Sequence, residues 1–329
     1  MNGIKPDYLY SFICHEEERG LCELEARRLL DLPASFKMKA GLCVAGSRRE
    51  IDVDRSPFMK HRMQIWHEAA SRDELEQYAL HIDLKDASFK ITVWDAASNE
   101  TEAHSSTENK QPTSNAEKQE LAKQIGQRIK GTVDLKSPRL EIGIAYWLGK
   151  WYIGAMQANT AVWQQHHSKP RQYSTALSTR MARAIVNIAV PSPAGIQAID
   201  PCCGIGTVLL EAASMGIAVS GREINPLAAQ GARENLAYFH YDVQVVLGDM
   251  RDIKEKFDVA IIDMPYNLCS VLPMDDKLSM LRHARQFAEQ LVIVTVEPLD
   301  QELLAAGFQI TDRCAVSKGK FRREILCCS

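Results

Sequence analysis

The stretch Ile199-Asp200-Pro201-Cys202-Cys203-Gly204-Ile205-Gly206-Thr207 decides how the second half of the chain folds. An apolar run at 196–199 leads into it, and a helical pattern at 208–213 follows it. We therefore predict a strand, a tight glycine turn and the start of a helix. From residue 196 onwards strand-like and helix-like segments alternate, which indicates an α/β fold with a parallel sheet.

The glycine turn also predicts the kind of ligand. Glycines in such a turn let backbone N–H groups approach a ligand closely. A dinucleotide-binding turn has a third glycine three residues after Gly206, where this chain has Leu209. A pyrophosphate is therefore disfavoured. A ligand with an adenosine and an amino-acid tail but no phosphates fits better, and S-adenosylmethionine is the common one.

A second stretch, Asp263-Met264-Pro265-Tyr266, closes another apolar run at 257–262. Ligands of open α/β sheets gather at the carboxyl ends of the strands, where both stretches are expected. Together they resemble the motifs of class I amino-methyltransferases, Asp-Pro-Phe-x-Gly-Ser-Gly and (Asp/Asn)-Pro-Pro-Tyr. Met264 departs from this pattern, which usually has proline there, but its backbone carbonyl remains.

Acidic side chains at three successive strand ends are expected to hold S-adenosylmethionine. Asp200 is placed to meet the ammonium group, and the two oxygens of Glu223 can accept from both ribose hydroxyls. Asp249 could accept from the adenine amino group. The glycines of the turn are expected to keep side chains off the cofactor. The complete predicted cofactor set is Asp200, Cys202, Gly204, Gly206, Thr207, Glu223, Asp249, Met250 and Tyr173.

The second stretch is the predicted catalytic set: Asp263, Met264, Pro265 and Tyr266. An exocyclic amino group on a base is a poor nucleophile, because its lone pair is delocalised into the ring. Hydrogen bonds to the Asp263 carboxylate and the Met264 carbonyl would free that lone pair for attack. Tyr266 offers a stacking face for the base. A carboxylate accepts only, so the paired donors of guanine, N1–H and the 2-amino group, suit it better than adenine.

The first half of the chain predicts a small α+β region without catalytic residues. The segment 8–13 is expected to be a strand and 20–30 a helix, and Met59 to Trp66 is expected to be helical. The polar composition of 97–116 predicts a mobile insertion. The helix predicted over 117–130 carries the candidate RNA-binding residues Lys118, Lys123, Arg128 and Lys130. A solvated basic face is the alternative interpretation of that helix.

The layout of 117–156 and the phrase Val133-Asp134-Leu135-x-x-Pro138 resemble the THUMP domain, an RNA-binding module. Most of the chain resembles the THUMP-containing tRNA guanine-N2 methyltransferases. In that family the segment around Tyr173 covers the cofactor, although ordinary packing at a domain junction would also explain it. The resemblance implies transfer of methyl to the N2 amino group of a guanosine in tRNA, often at position ten of the D-arm region. An rRNA guanine-N2 or adenine-N6 methyltransferase, and an RNA-binding protein with weak catalysis, remain alternatives.

These resemblances predict four regions. Residues 1–95 are expected to form a ferredoxin-like α+β domain, and 96–163 a THUMP-like RNA-binding region with its insertion at 96–116. Residues 164–190 are expected to be a linker and helix. Residues 191–329 are expected to be a Rossmann-like, class I S-adenosylmethionine-dependent methyltransferase domain that ends in an antiparallel hairpin.

Composition limits the remaining possibilities. The 329 residues carry a net charge of −3, so any RNA binding must depend on local patches. No apolar run approaches the roughly 20 residues needed to cross a bilayer, and the amino terminus lacks a signal-peptide pattern. The nine cysteines form no Cys-x-x-Cys motif, so we predict buried thiols and no metal site. A cytoplasmic, monomeric protein with tRNA as its partner is expected.

Overall fold

The structure, a computed structural model, describes residues 5–38, 41–94, 114–174, 176–265, 273–318 and 321–329. The chain divides into two compact units, each with its own seven-stranded sheet. The first unit takes its described residues from Met1–Glu16, Ser35–Val53 and Phe58–Thr160. The second takes them from Glu17–Ala34, Asp54–Pro57 and Ala161–Ser329. Within the described ranges, no helix has the length and apolar character to cross a membrane.

The strands and helices are numbered along the chain. The strands are β1 (Tyr8–Cys14), β2 (Gly41–Ser47), β3 (Met59–Ala69), β4 (Asp83–Val93), β5 (Lys130–Val133), β6 (Leu140–Trp147), β7 (Lys150–Ala158), β8 (Gln197–Asp200), β9 (Ala218–Glu223), β10 (Val245–Leu247), β11 (Phe257–Asp263), β12 (Ala288–Thr295), β13 (Ile310–Lys318) and β14 (Phe321–Cys328). The helices are α1 (Arg19–Leu30), α2 (Arg72–Ala79), α3 (Asn115–Gly126), α4 (Thr179–Ala189), α5 (Thr207–Ser214), α6 (Pro226–Tyr238), α7 (Met274–Phe287) and α8 (Asp300–Ala305).

The sheet of the first unit has the order β2-β1-β3-β7-β6-β4-β5. Its neighbouring strands are antiparallel, except that β4 runs parallel to both β5 and β6. Helices α2 and α3 place Leu75, Leu121 and Ile125 in a core with Phe89 and Trp151 of the sheet. This burial of apolar side chains drives the packing of both helices on the strands.

Three sequence predictions for the first half are wrong. The segment from Met59 to Trp66 is strand β3, not a helix: apolar residues four apart mimic a helical period, but β1 and β7 bond to the segment on both sides. The helix predicted over 117–130 ends at Gly126. The predicted boundary between 95 and 96 falls inside one sheet, because β4 pairs with β5 and β6. The mobile insertion predicted at 96–116 lies outside the described residues up to 113.

The sheet of the second unit has the order β10-β9-β8-β11-β12-β14-β13. The first five strands are parallel, and β14 is antiparallel to both β12 and β13. The predicted Rossmann-like parallel sheet with a closing hairpin is therefore confirmed. The strand order reverses between β8 and β11, and ligands of such sheets bind at this point, outside the carboxyl ends of the strands.

The second unit contains more of the chain than the predicted domain 191–329. The segment predicted as a linker and helix contributes α4, capped by Ser178, whose hydroxyl accepts from the Met181 N–H. Helix α1 also belongs to this unit: Arg27 donates to both carboxylate oxygens of Asp312 (2.9 and 3.0 Å). The predicted four regions therefore differ from the two units of the structure. Contacts between residues distant in sequence determine that α1 and α4 belong to the second unit.

Candidate active site

A cleft of about 1090 Å³ opens at the carboxyl ends of β8, β9 and β11. Strand ends, the glycine turn, the start of α6 and residues 171–174 surround it. The predicted residues that line it are Tyr173, Asp200, Cys202, Gly204, Thr207, Glu223, Asp249, Met250, Asp263, Met264 and Pro265. Gly206 does not line the cleft, and Tyr266 lies outside the described residues.

The two positions of the turn require glycine for different physical reasons. Both adopt left-handed backbone angles, with φ of 54° at Gly204 and 78° at Gly206. A Cβ on Gly204 would meet nothing within 4 Å, so this position faces open space. A Cβ on Gly206 would lie 3.0 Å from the Cβ of Ala232 on α6. Gly206 therefore allows close packing of α6, and the prediction that it keeps side chains off a ligand in the cleft has no support here.

Glu223 ends β9 and fixes the shape of the turn. Its Oε2 accepts the Gly204 N–H (2.7 Å), and its Oε1 accepts the Asn225 N–H (2.9 Å). A carboxylate oxygen has two lone pairs, so each oxygen can accept one more hydrogen bond. The residue can therefore hold the turn and still accept from a diol in the cleft.

Asp200 ends β8 and is buried. Its Oδ1 accepts the Cys202 N–H at 3.2 Å. Burial raises the pKa of Asp200 well above its ordinary value, and the negative charges of Asp263 and Glu223 raise it further. The floor of the cleft is therefore acidic and poorly solvated, which favours a cationic ligand.

Asp263 ends β11, and its side chain is partly exposed to the cleft although its Oδ1 is buried. That oxygen has no hydrogen-bond partner among the described residues. Burial raises the pKa of Asp263 to about 7, and the positive charge of Arg323 on β14 opposes this shift. No sequence pattern pointed to Arg323, because only the antiparallel insertion of β14 between β12 and β13 brings its charge near Asp263.

Asp249 follows β10 and forms an ion pair with the side chain of Arg251. The guanidinium of Arg251 donates to both carboxylate oxygens, with Nε 3.0 Å from each and Nη2 2.5 Å from Oδ2. These hydrogen bonds lower the pKa of Asp249. An adenine amino group would compete with Arg251 for the carboxylate. Arg251 stands two residues from the acid, but no sequence motif marked it as part of the site.

Thr207 and Cys202 complete the turn. The Oγ1 of Thr207, at the first residue of α5, is buried without a partner in the part of the chain that the structure describes. A helix start and a free hydroxyl suit the carboxylate of an amino-acid ligand. The Sγ of Cys202 lies 3.7 Å from the Sδ of Met250. Burial raises the pKa of Cys202 well above its ordinary value, so the group is a neutral thiol.

Residues 171–174, which we name the cover segment, border the cleft. Tyr173 of this segment is 64% exposed. Ile224, which the sequence analysis did not single out, follows Glu223 into the cleft and is 65% exposed. Both offer apolar surface for a flat ring, and a large apolar residue directly after the acidic strand end was the available signal for Ile224.

The candidate RNA-binding residues lie in the first unit, and none lines the cleft. Lys118 and Lys123 are on α3, whereas Arg128 and Lys130 follow its end. Arg128 donates to Glu76 (2.5 Å) and to the Gln124 carbonyl. Part of the predicted positive charge is therefore neutralised within the unit.

The described ranges contain no cluster of side chains that could hold a metal ion. Residues 166–269 match the UPF0020 family, described as an RMKL-like methyltransferase domain. The second unit therefore carries a methyltransferase domain, as the sequence predicted.

Two curated relatives match part of the same half. The chain is 37% identical over 105 residues to the tRNA (guanine(10)-N2)-dimethyltransferase of Methanothermobacter thermautotrophicus, covering 31% of each protein. It is 37% identical over 113 residues to the tRNA (guanine(10)-N2)-dimethyltransferase of Pyrococcus abyssi, covering 32% of this chain and 33% of that protein. The matches thus span about a third of these relatives.

Solved structures also match, and the similarity can extend over almost the whole chain. TrmN from Thermus thermophilus shares 18% sequence identity with a TM-score of 0.50, and the match covers 98% of this chain and 99% of that one. At this level of identity the similarity concerns the fold. It extends to both units.

Proposed function

We propose that this protein transfers a methyl group from S-adenosylmethionine to the exocyclic N2 amino group of a guanosine in tRNA. The observation that carries the proposal is the Oδ1 of Asp263 at the edge of an acidic cleft, which is buried and has no partner among the described residues. A buried oxygen without a partner costs about 1–3 kcal/mol of stability, which points to a ligand that supplies the donor.

The cleft fits S-adenosylmethionine. The ligand would place its ammonium group near Asp200 and its ribose hydroxyls near Glu223. Its carboxylate would lie near Thr207 and the start of α5. The open space in front of Gly204 leaves room for the part of S-adenosylmethionine that links its amino-acid end to its ribose. When bound, S-adenosylmethionine supplies an electrophilic methyl group, and this chain's residues orient the acceptor.

Asp263 has two tasks in the proposed reaction. Its carboxylate accepts hydrogen bonds from the guanine edge, which holds the amino nitrogen in place. The nitrogen must also lose a proton as it gains the methyl group. With a pKa of about 7, the Asp263 carboxylate is suited to receive that proton near neutral pH. The Met264 carbonyl and Tyr266 are proposed to align and stack the base.

The tRNA substrate is supported by the names of the two relatives, which are both tRNA (guanine(10)-N2)-dimethyltransferases. The first unit is proposed to deliver the RNA, with a THUMP-like region and Lys118 and Lys123 as contacts. Replacing both lysines by glutamine should weaken tRNA binding and flatten its dependence on salt, because fewer counterions are released. If the double variant and the wild type bind tRNA equally well at every salt concentration, these lysines do not contact the RNA.

The test of the function combines calorimetry with nucleoside analysis. The purified protein should bind S-adenosylmethionine and not NAD. With tRNA and this cofactor it should produce N2-methylated guanosine, detected by mass spectrometry after nuclease digestion. Methylation of adenosine, or of rRNA in preference to tRNA, would show that guanosine in tRNA is not the substrate. RNA binding without any S-adenosylmethionine binding would instead indicate an RNA-binding protein with the methyltransferase fold.

A further inference from the structure

Asn235, on α6, is buried and makes three hydrogen bonds to the backbone of two other segments. Its Oδ1 accepts the Arg171 N–H (2.8 Å), and its Nδ2 donates to the Arg171 carbonyl (3.1 Å). The same Nδ2 donates to the Ile205 carbonyl (2.9 Å). One side chain therefore joins the cover segment to the glycine turn.

Residues of α6 next to Asn235 also lie against the cover segment and the glycine turn. Gly231 lies one helical turn earlier, and a Cβ there would stand 3.4 Å from Ile205 and 3.6 Å from Arg171. These distances are those of ordinary van der Waals contacts, so α6 lies close to both segments at this position as well. At the surface, the Arg171 guanidinium also pairs with Glu234. The helix thus contacts both borders of the cleft along one face.

The amide of asparagine is the one group that meets all three backbone demands. The site needs one acceptor for the Arg171 N–H and two donor contacts for the carbonyls of Arg171 and Ile205. An aspartate carboxylate would place an oxygen against both carbonyls. A leucine of similar size would leave all three backbone groups without this partner.

We propose that Asn235 is a positioning residue that fixes the cover segment over the glycine turn and thereby sets how tightly the cleft retains S-adenosylmethionine. This inference rests on the proposed function, because it assumes that the cleft holds that cofactor. Asn235 does not line the cleft and would act only through Arg171 and Ile205.

The experiment measures S-adenosylmethionine affinity by calorimetry in the full-length protein and in its Asn235→Asp variant. At pH 8 the variant should bind roughly tenfold to a hundredfold more weakly, as expected for losing buried hydrogen bonds. Lowering the pH should reduce the ratio of variant to wild-type Kd, because a protonated carboxyl regains one donor. Asn159→Asp is the matched control: it makes the same change at an amide of the first unit that donates to the Val53 and Met59 carbonyls and does not line the cleft, so it should change affinity little.

A second pair of variants tests the hydrogen bond from the Arg171 N–H to Asn235 by changing its donor residue. Arg171→Pro and Arg171→Ala both remove the exposed guanidinium, but only proline removes the N–H that Asn235 accepts. Affinity should fall further in Arg171→Pro than in Arg171→Ala. Hydrogen exchange at the Arg171 amide of the ligand-free protein should be faster in Asn235→Leu than in the wild type, because leucine removes the acceptor of that N–H.

The outcomes separate this inference from the function beneath it. If the wild-type protein does not bind S-adenosylmethionine, the proposed function fails. If the wild type binds and Asn235→Asp binds equally well at pH 8, the positioning role is wrong. A lower melting temperature with unchanged affinity would likewise overturn it, because Asn235 would then serve stability alone.

Discussion

Glu223 and Asp263 are carboxylates at the ends of two strands of one sheet, and both line the same cleft, but they are bonded differently. Both oxygens of Glu223 accept backbone N–H groups of the turn. Asp263 has a buried oxygen with no partner among the described residues. Glu223 therefore stabilises the turn, whereas Asp263 keeps an oxygen that no described residue bonds. In the proposed reaction, Glu223 shapes the site and Asp263 contacts the base.

The largest effect is expected for Asp263→Asn. The amide keeps the size of the side chain but cannot accept from two guanine donors or take the proton, so kcat/KM should fall on the order of 10²–10³-fold. Single-turnover methylation of tRNA measures this loss, and calorimetry should show unchanged S-adenosylmethionine affinity. Full activity in this variant would contradict the role assigned to Asp263.

Glu223→Gln should show the opposite pattern. Its amide would direct an NH2 group at one of the two backbone N–H groups, so both the turn and the ribose contacts suffer. We expect S-adenosylmethionine binding to weaken by roughly 1.5–3 kcal/mol, and the ligand-free protein to melt at a lower temperature. Calorimetry and thermal unfolding measure the two effects. If affinity falls without any loss of stability, Glu223 does not shape the turn.

The pH dependence of stability provides a third comparison. Since the pKa of Asp263 rises to about 7 on folding, the folded state binds more protons than the unfolded state between about pH 4 and 7. Asp263 therefore lowers stability as the pH rises through this window. Relative to the wild type, Asp263→Asn should gain on the order of 1–3 kcal/mol between pH 5 and 8. Denaturant unfolding of both proteins at the two pH values tests this; parallel curves would mean that Asp263 does not titrate there.

The smallest effect is expected for Met264→Pro. Proline restores the usual motif and keeps the carbonyl beside Asp263, but it removes the N–H that donates to the Val294 carbonyl (2.9 Å). Stability should fall by about 1 kcal/mol, with little change in turnover on guanosine. A loss of turnover as large as that of Asp263→Asn would show that methionine itself is needed at this position.

The sequence predicted the second unit well because local patterns decide it. The glycine turn, the cap at Asn225 with Pro226, and the alternation of strands and helices all depend on neighbouring residues. Strand β3 could not be predicted in this way: its apolar residues at 59 and 63 fit a helix, and only pairing with β1 and β7 determines the outcome.

The site shows the same limit. Asp200, Glu223 and Asp263 were predicted because each stands at the end of an expected strand. The pairing of Arg251 with Asp249 was not found, since the sequence does not say which way a side chain folds back. Asn235 had no motif at all. It lies 64 residues from Arg171 and 30 from Ile205, so only the folded chain reveals its contacts.

The membership of α1 in the second unit has a consequence for how the protein is made. The chain changes units at 16/17, 34/35, 53/54, 57/58 and 160/161, so neither unit is a continuous piece of sequence. Buried Glu25 on α1 bonds Asn187 on α4, about 150 residues after the end of α1. At roughly 5–20 residues per second, a ribosome needs on the order of 10–30 s to supply that partner. Throughout that interval the nascent α1 lacks the α4 contacts of its buried face, so chaperones that bind nascent chains have a defined time window in which to act on it.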